Sequence, residues 1–250
     1  MEKVVVFLEV SKTYKKSHLF KIIAVEALRK FNLEIFKGEI IGILGLNGAG
    51  KTTAMKLLCG LLRHTAGRIT VFGFEPESMD AKSSIGFLPE FPYFYPYLTP
   101  VESLDYYARL SGVPHEKIKS SVHNILEKVG LKEHLQKKIS EFSKGMMQRL
   151  GVAQAIIHNP ELIVLDEPVS GLDPLAIHDI RLIISQLNKD GKTIFLSSHS
   201  ISELEKISNR VVIIVKGEIA KIVNQTEWKS NPGGLESIFV ETVKQRIENI

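Results

Sequence analysis

The segment GLNGAGKTT at 45–53 has the residue types and spacing of a phosphate-binding loop. It follows the apolar run IIGIL and precedes a predicted helix, which is the context that this pattern requires. Its glycines let backbone N–H groups turn towards an anion, and the helix adds its positive end at the same point. We therefore predict a nucleoside triphosphate here, with Lys51 on the β- and γ-phosphates and Thr52 on Mg²⁺. The residues assigned to the nucleotide are Gly45, Asn47, Gly48, Ala49, Gly50, Lys51, Thr52 and Thr53.

Two carboxylates end the apolar run LIVLDEP at 162–168. The four apolar residues predict a buried strand, and Asp166 at its end is a candidate ligand of Mg²⁺, usually through water. Glu167 stands one residue further on, where a carboxylate can polarise an attacking water. A site that only binds metal would need one carboxylate, so the pair favours hydrolysis.

A third segment, EFSKGMMQRL at 141–150, predicts an exposed helix start. Ser143 is the predicted cap, and Gly145 is predicted to leave the backbone bare. Apart from Glu141 ahead of the cap, no carboxylate or metal ligand stands beside it in the sequence. Its positive end therefore has no evident local ligand.

Alternating apolar strands and helices predict an α/β fold with a parallel sheet and flanking helices. The first quarter of the chain is rich in strands and predicts an N-terminal antiparallel β part, whereas residues 97–158 predict a helical subdomain. We expect one domain over 1–224, followed at 225–250 by a loop and an amphipathic helix. Local signals predict a strand at 4–10, turns at Lys37–Gly38 and Lys216–Gly217, capping boxes at Thr99–Glu102 and Ser200–Glu203, and a helix from Asp173 to about Lys189.

Composition and charge limit the functional classes. The 250 residues are 44% hydrophobic with a net charge of +4, and they contain no block of like charge that suggests a nucleic-acid arm. The single cysteine, Cys59, excludes an internal disulfide and favours a reducing compartment. No signal-peptide pattern is visible, and the longest apolar runs fall far below the roughly 18 residues that span a bilayer. Work at a membrane would therefore need a second chain that spans it.

The order of these motifs resembles the ATPase subunit of ATP-binding cassette (ABC) transporters over about residues 3–222. In that family two cassettes pair head to tail, and the segment at 142–146 is the signature motif. The resemblance implies that Ser143 and Gly145 contact the γ-phosphate of ATP held by the partner cassette. Lys144 and Met146 depart from the usual glycine and glutamine of this motif.

The resemblance assigns further positions. Tyr14 fits the aromatic residue that stacks on adenine, and His199 fits the switch histidine that contacts the γ-phosphate. Glu90, where most members have glutamine, fits the loop that senses Mg²⁺. The segment 170–173 fits the loop that links the two sites of a dimer. The patterns GFLPE and FSKGM are similar to the ABC-2 type of exporter.

The implied function is an ATP-hydrolysing exporter subunit that uses ATP and Mg²⁺, with Glu167, His199 and Lys51 as catalytic residues. The implied partners are a membrane-spanning subunit and a second copy of this chain or a related cassette. No nucleic acid is expected, and the implied location is the cytoplasmic face of the cell membrane. The aromatic cluster FPYFYPY at 91–97 either docks that partner or packs the subdomain core. The alternatives are a soluble non-transport ABC ATPase, a P-loop kinase and a nucleotide-gated module without turnover.

Overall fold

The computed structural model describes residues 2–18 and 21–248. Residues 1, 19–20 and 249–250, which the predicted ranges include, lie outside the described residues. In chain order the elements are β1 (Lys3–His18), β2 (Lys21–Phe36), β3 (Ile40–Leu44), α1 (Lys51–Leu58), β4 (Ala66–Val71), α2 (Met79–Ser83), β5 (Ile85–Leu88), α3 (Pro100–Leu110), α4 (His115–Lys128), 3₁₀ turns at Lys132–His134 and Ile139–Glu141, α5 (Lys144–Ile156), β6 (Leu162–Leu165), α6 (Pro174–Lys189), β7 (Thr193–Ser197), α7 (Ile201–Ile207), β8 (Arg210–Val215), β9 (Glu218–Asn224), α8 (Gln225–Ser230) and α9 (Gly234–Glu248).

The chain forms two compact units, Met1–Lys82 with Phe195–Ile250, and Ser83–Ile194. The first unit contains an antiparallel sheet in the order β2-β1-β4. The prediction that the first strand ends near residue 10 is wrong, because β1 continues to His18. The polar second half of β1 pairs with β2 as far as His18, which lies opposite Lys21. Backbone hydrogen bonds to β2 therefore hold this half in a strand although its sequence has no apolar alternation.

The first unit also carries the strand that leads into the phosphate-binding loop. All five residues of β3 are buried, and β3 lies between β7 and β8. The β3 and β8 strands are parallel, whereas β8 and β9 form the predicted antiparallel hairpin. Lys216 and Gly217 both have positive φ (48° and 83°), which a tight hairpin turn requires. The predicted turn at this point is confirmed.

The second unit pairs β5 and β6 in parallel, with Ile85 opposite Leu162. Helix α5 packs directly on β5 because two glycines provide the space. A Cβ at Gly86 would collide with the carbonyl oxygen of Ala155, and one at Gly151 would lie 2.5 Å from the Cδ1 of Leu88. These glycines therefore fix the distance between the helix and the strand.

The predicted caps of α3 and α6 are confirmed. Thr99 Oγ1 accepts from the backbone N–H of Glu102, and Glu102 accepts in return from the N–H of Thr99 at 2.7 Å. Asp173 Oδ1 accepts the N–H groups of Leu175 and Ala176, each at 3.0 Å. The start and end of α6 match the predicted helix.

Two local predictions are wrong. Ser200 precedes α7 without a side-chain capping bond, and its own N–H donates to Ser198 Oγ at 2.9 Å, while Glu203 accepts a hydrogen bond from Lys206. The expected loop at 224–234 contains α8, which has a capping box between Asn224 and Glu227. Within the described residues, no helix combines the length and the apolar character needed to cross a bilayer.

Candidate functional site

The phosphate-binding loop lies between β3 and α1 in the first unit. Gly45 passes so close to β8 that a Cβ would lie 2.5 Å from the carbonyl oxygen of Ile214. Gly48 and Gly50 have φ values of 79° and 110°, which favour glycine. The N–H of Gly217 donates to Ala49 O at 3.0 Å, so the β8–β9 turn supports the loop. The glycine positions are therefore set by backbone packing as well as by the space that a phosphate needs.

The loop ends at a helix start that suits an anion. Helix α1 has Gly50 as its cap, no side-chain capping bond and no acidic residue in its first turn. Lys51 is only 8% exposed, and its Nζ donates to Gly45 O at 2.7 Å. The ammonium group thus lies folded over the loop. The positive end of α1 and the buried ammonium of Lys51 together fit a phosphate group.

Tyr14 and His199 belong to the same unit as this loop. The hydroxyl of Tyr14 lies 3.4 Å from Thr53 Oγ1, and the Nζ of Lys12 lies 5.2 Å from the centre of the Tyr14 ring. His199 is exposed directly after β7. The preceding residue, Ser198, donates its N–H to Ile43 O at 3.4 Å. Both predicted contact residues therefore stand beside elements that hold the loop, and their roles stay predictions.

The carboxylate pair lies in the second unit, at the end of β6. All residues from 162 to 168 are buried, with Asp166 exposed by 2% and Glu167 by 8%. The N–H of Asp166 donates to Leu88 O at 2.8 Å, at the end of β5, two residues before Glu90. The carboxyl ends of two parallel strands thus bring these acids to one edge, where α/β proteins bind ligands. Glu167 has a φ of 50°, an uncommon value for a residue other than glycine.

The signature segment also lies in the second unit. Ser143 caps α5, and its Oγ accepts the N–H of Met146 at 3.2 Å. Ser143 and Lys144 are exposed, whereas Gly145 is buried. A Cβ at Gly145 would lie 3.0 Å from the Cβ of Ala176, so Gly145 faces the start of α6. The expectation that Gly145 bares the backbone to solvent is wrong, and the exposed residues of this segment, Glu141, Ser143 and Lys144, all precede it.

The aromatic cluster divides into two parts. Phe94 is 4% exposed and packs edge-on against Tyr107, with ring centres 5.9 Å apart. Phe91 and Tyr93 are 73% and 77% exposed. Tyr95 and Tyr97 are also exposed, with ring centres 5.7 Å apart. Only one ring of the 91–97 segment fills the core, and the others form an aromatic surface.

The residues present fit ATP together with Mg²⁺. The cradle around Gly45 has no room for a side chain, and a cavity of about 230 Å³ lies between 46–49 and 214–216. Among the described residues, no group of three or more His, Cys, Asp or Glu is placed to hold a metal. Protein sites for Mg²⁺ commonly use one or two carboxylates together with the substrate's phosphates. Thr52 in the first unit, and Asp166 and Glu90 in the second, stay predicted ligands of Mg²⁺.

A family model described as ABC transporter matches residues 28–170. This chain belongs to the ABC transporter family. An uncharacterised ABC transporter ATP-binding protein of Synechocystis is 39% identical over 233 residues, 92% of this chain and 66% of that relative. The bacitracin transport ATP-binding protein BcrA of Enterococcus faecalis is 44% identical over 203 residues, 80% and 65% of the two chains. The linearmycin resistance ATP-binding protein LnrL of Bacillus subtilis is 38% identical over 227 residues, 90% and 70%.

The matched segment thus covers only about two thirds of the length of these three relatives (66%, 65% and 70%). Among solved structures, an ATP-binding subunit of an ABC transporter has a TM-score of 0.82 at 26% identity, covering 96% of this chain and 99% of that one. A dimeric bacterial ABC transporter cassette has a TM-score of 0.79 at 24% identity, covering 88% and 98%. These likenesses confirm the predicted fold class of the cassette.

The sequence did not reveal which residues of this ABC cassette support the motifs. Ile214 and Gly217 press on the phosphate-binding loop from β8 and the following turn. Lys144 stands over Gly171, since a Cβ built on Gly171 would collide with its Nζ. Both sets join residues that are distant in sequence. The only sequence signal for them is the glycine at 217 and at 171.

Proposed function

We propose that this chain binds MgATP and hydrolyses it to ADP and phosphate, as the ATPase subunit of an ABC-2 type exporter. The observation that carries the proposal is the pair Asp166 and Glu167, which lies buried at the end of β6 beside the end of β5. Buried carboxylates at this edge of a parallel sheet suit a metal ion and an attacking water, and the chain also carries a phosphate cradle. The relatives named for bacitracin transport and linearmycin resistance support the export direction.

Each residue has a distinct part in the proposed reaction. The N–H groups of the loop and Lys51 bind and orient the phosphates, and Thr52, Asp166 and Glu90 would hold Mg²⁺, which would supply charge neutralisation for the phosphates. Glu167 accepts the proton of the water that attacks the γ-phosphorus in line, and His199 hydrogen-bonds the γ-phosphate. Tyr14 stacks on the adenine.

The second half of each site comes from a second copy of this chain or a related cassette. The start of α5 supports this, because Ser143 is exposed and its capping bond uses only an acceptor site of the hydroxyl. Its proton can therefore be donated to a phosphate of the partner's nucleotide. Each ATP then holds two cassettes together, and hydrolysis releases them.

The membrane-spanning partner docks on the exposed rings of 91–97, at the cytoplasmic face of the membrane. Large aromatic side chains that are mostly exposed are frequent anchors of protein interfaces. The occupant is a short cytoplasmic helix of that partner. Replacing Tyr93 with serine should weaken co-purification with the partner and leave ATP hydrolysis by the isolated chain unchanged.

The deciding experiment compares Glu167→Gln with Glu161→Gln. Glu161 lies exposed at the opposite end of β6, so it matches the charge change without touching the site. We expect Glu167→Gln to release phosphate roughly 10²- to 10⁴-fold more slowly than wild type, the usual effect of losing a general base. At low salt with MgATP it should sediment as a dimer, and without ATP as a monomer. The control should behave as wild type.

The alternative functions predict different results. A nucleotide-gated module would dimerise with ATP while the wild type releases no phosphate. A P-loop kinase would transfer phosphate to an acceptor other than water. A soluble non-transport ABC ATPase would bind nucleic acid with a strong salt dependence. If Glu167→Gln hydrolyses ATP at the wild-type rate, Glu167 is not the general base.

A further inference from the structure

An ammonium group at the ring of Tyr14 is a contact that no motif assigns. The Nζ of Lys12 lies over this ring, 5.2 Å from its centre, which is within the range of a cation–π contact. The same Nζ donates a hydrogen bond to Arg63 O at 2.7 Å. Lys12 and Tyr14 are both partly buried. A backbone carbonyl therefore holds the ammonium in the position where it meets the ring.

The segment that follows α1 binds β1 on both sides of Lys12. The N–H of Thr65 donates to Ser11 O at 2.8 Å, and the N–H of Thr13 donates to Thr65 Oγ1 at 3.0 Å. These bonds join β1 to the far end of the helix that begins at the phosphate-binding loop. They involve no charge, so the particular contribution of Lys12 is the cation at the ring of Tyr14.

The ring of Tyr14 is also held at its hydroxyl end. The hydroxyl lies 3.4 Å from Thr53 Oγ1, in the first turn of α1. The pairing of β1 with β2 is irregular between Val10 and Lys12 and again between Lys12 and Thr13. Such bulges re-aim side chains and are frequent next to binding sites. The ring thus has a cation over one face and its hydroxyl beside the helix of the phosphate-binding loop.

We propose that Lys12 is a positioning residue for the nucleotide base, which fixes the Tyr14 ring and leaves the face opposite the ammonium to adenine. This inference rests on the proposed function, in which Tyr14 stacks on adenine. A cation at one face draws the π electrons of the ring towards itself, so the opposite face suits an electron-rich purine. Among the residues that the structure describes, no second aromatic ring packs against Tyr14.

The test compares a ligand that carries the base with one that lacks it. The probes are MgADP, the proposed product, which is not turned over, and magnesium pyrophosphate, which has no base. Lys12→Met keeps most of the side-chain length without the charge, whereas Lys12→Arg retains the charge. Tyr14→Leu removes the ring. Lys15→Met is the matched control, because Lys15 is exposed on β1 directly after Tyr14. Calorimetric titration gives each Kd, and thermal unfolding without ligand checks folding.

The expected result is a loss of affinity that depends on the base. Lys12→Met should bind MgADP roughly 2- to 10-fold more weakly than wild type, the range of a single cation–π contact, and should bind pyrophosphate equally well. Tyr14→Leu should weaken MgADP roughly 5- to 150-fold, the range of one stacked base. Lys12→Arg should restore wild-type affinity, and Lys15→Met should keep it.

A double variant shows whether Lys12 acts through the ring. If it does, Lys12→Met should weaken MgADP no further once Tyr14→Leu is present, because the two changes remove the same interaction. Additive losses would mean that Lys12 affects the nucleotide by another route, and they overturn the proposal. A merely structural role for Lys12 would lower thermal stability and weaken MgADP and pyrophosphate by the same factor.

The outcomes separate this inference from the proposed function. If Tyr14→Leu weakens MgADP and Lys12→Met does not, only the role of Lys12 is wrong. If both variants bind MgADP as wild type does, the base does not stack on Tyr14, and that assignment falls together with the inference. If wild type binds neither MgADP nor pyrophosphate, the proposed function itself fails.

Discussion

Replacing Lys51 with methionine should separate nucleotide binding from folding. The Nζ of Lys51 is buried and donates to Gly45 O at 2.7 Å. The variant loses a charge-assisted bond to phosphate, worth about 1.5–3 kcal/mol, so the Kd for ATP should rise about 10- to 150-fold. Without nucleotide, the variant loses the hydrogen bond to Gly45 O, which destabilises the fold, but it no longer buries an ammonium group, which stabilises it. Because these two effects oppose each other, thermal stability should not fall.

The assay is thermal unfolding with and without MgATP, together with a fluorescent ATP titration. At an ATP concentration of 100 times the wild-type Kd, binding stabilises the wild type by about 2.7 kcal/mol, and a hundredfold weaker variant by only about 0.4 kcal/mol. Lys56→Met is the matched control, because Lys56 is exposed on the same helix. It should keep the full stabilisation. If Lys51→Met retains that stabilisation too, the ammonium does not bind phosphate and the interpretation of the loop is wrong.

Three further predictions concern the second unit. Gly151→Ala should destabilise the fold by about 1–3 kcal/mol in urea unfolding, because the added Cβ would lie 2.5 Å from the Cδ1 of Leu88. Helix propensity alone would make this variant more stable, so a gain of stability would contradict the close packing. Burial lowers the pKa of His158, so between the two pKa values the imidazole is protonated in the unfolded chain and neutral in the folded chain. The free energy of unfolding should therefore fall as the pH drops below about 6.5, by at most about 1.4 kcal/mol per pH unit. His158→Gln should remove this part of the pH dependence, and an unchanged profile would assign it to other groups. Thr99→Ala should cost about 1 kcal/mol by breaking the capping box with Glu102, and a change below about 0.3 kcal/mol would show that the box does not hold α3.

The sequence alone determined features that depend on near neighbours in the chain. The loop at 45–53, the capping box at Thr99 and the cap at Asp173 all follow from residue types within a few positions. The apolar run before Asp166 was enough to predict a buried strand that ends in carboxylates. These signals are local because caps and turns satisfy backbone groups only a few residues away.

Local signals failed where another part of the chain supplies the partner. The polar half of β1 is a strand because β2 pairs with it, and no pattern within 11–18 indicates this. Gly145 has the spacing of an exposed signature residue, but the start of α6 covers it.

The contact between Lys144 and Gly171 was decided by tertiary structure alone. In the sequence, Lys144 stands in the signature motif at a position where the family usually has glycine, and Gly171 belongs to a separate loop. Twenty-six residues lie between them. Packing of α5 near the start of α6 brings the two together, and a glycine turn at positive φ leaves space for the ammonium. Motif spacing thus predicted which residues face a phosphate, while packing across distant segments decided which residues lie against that loop.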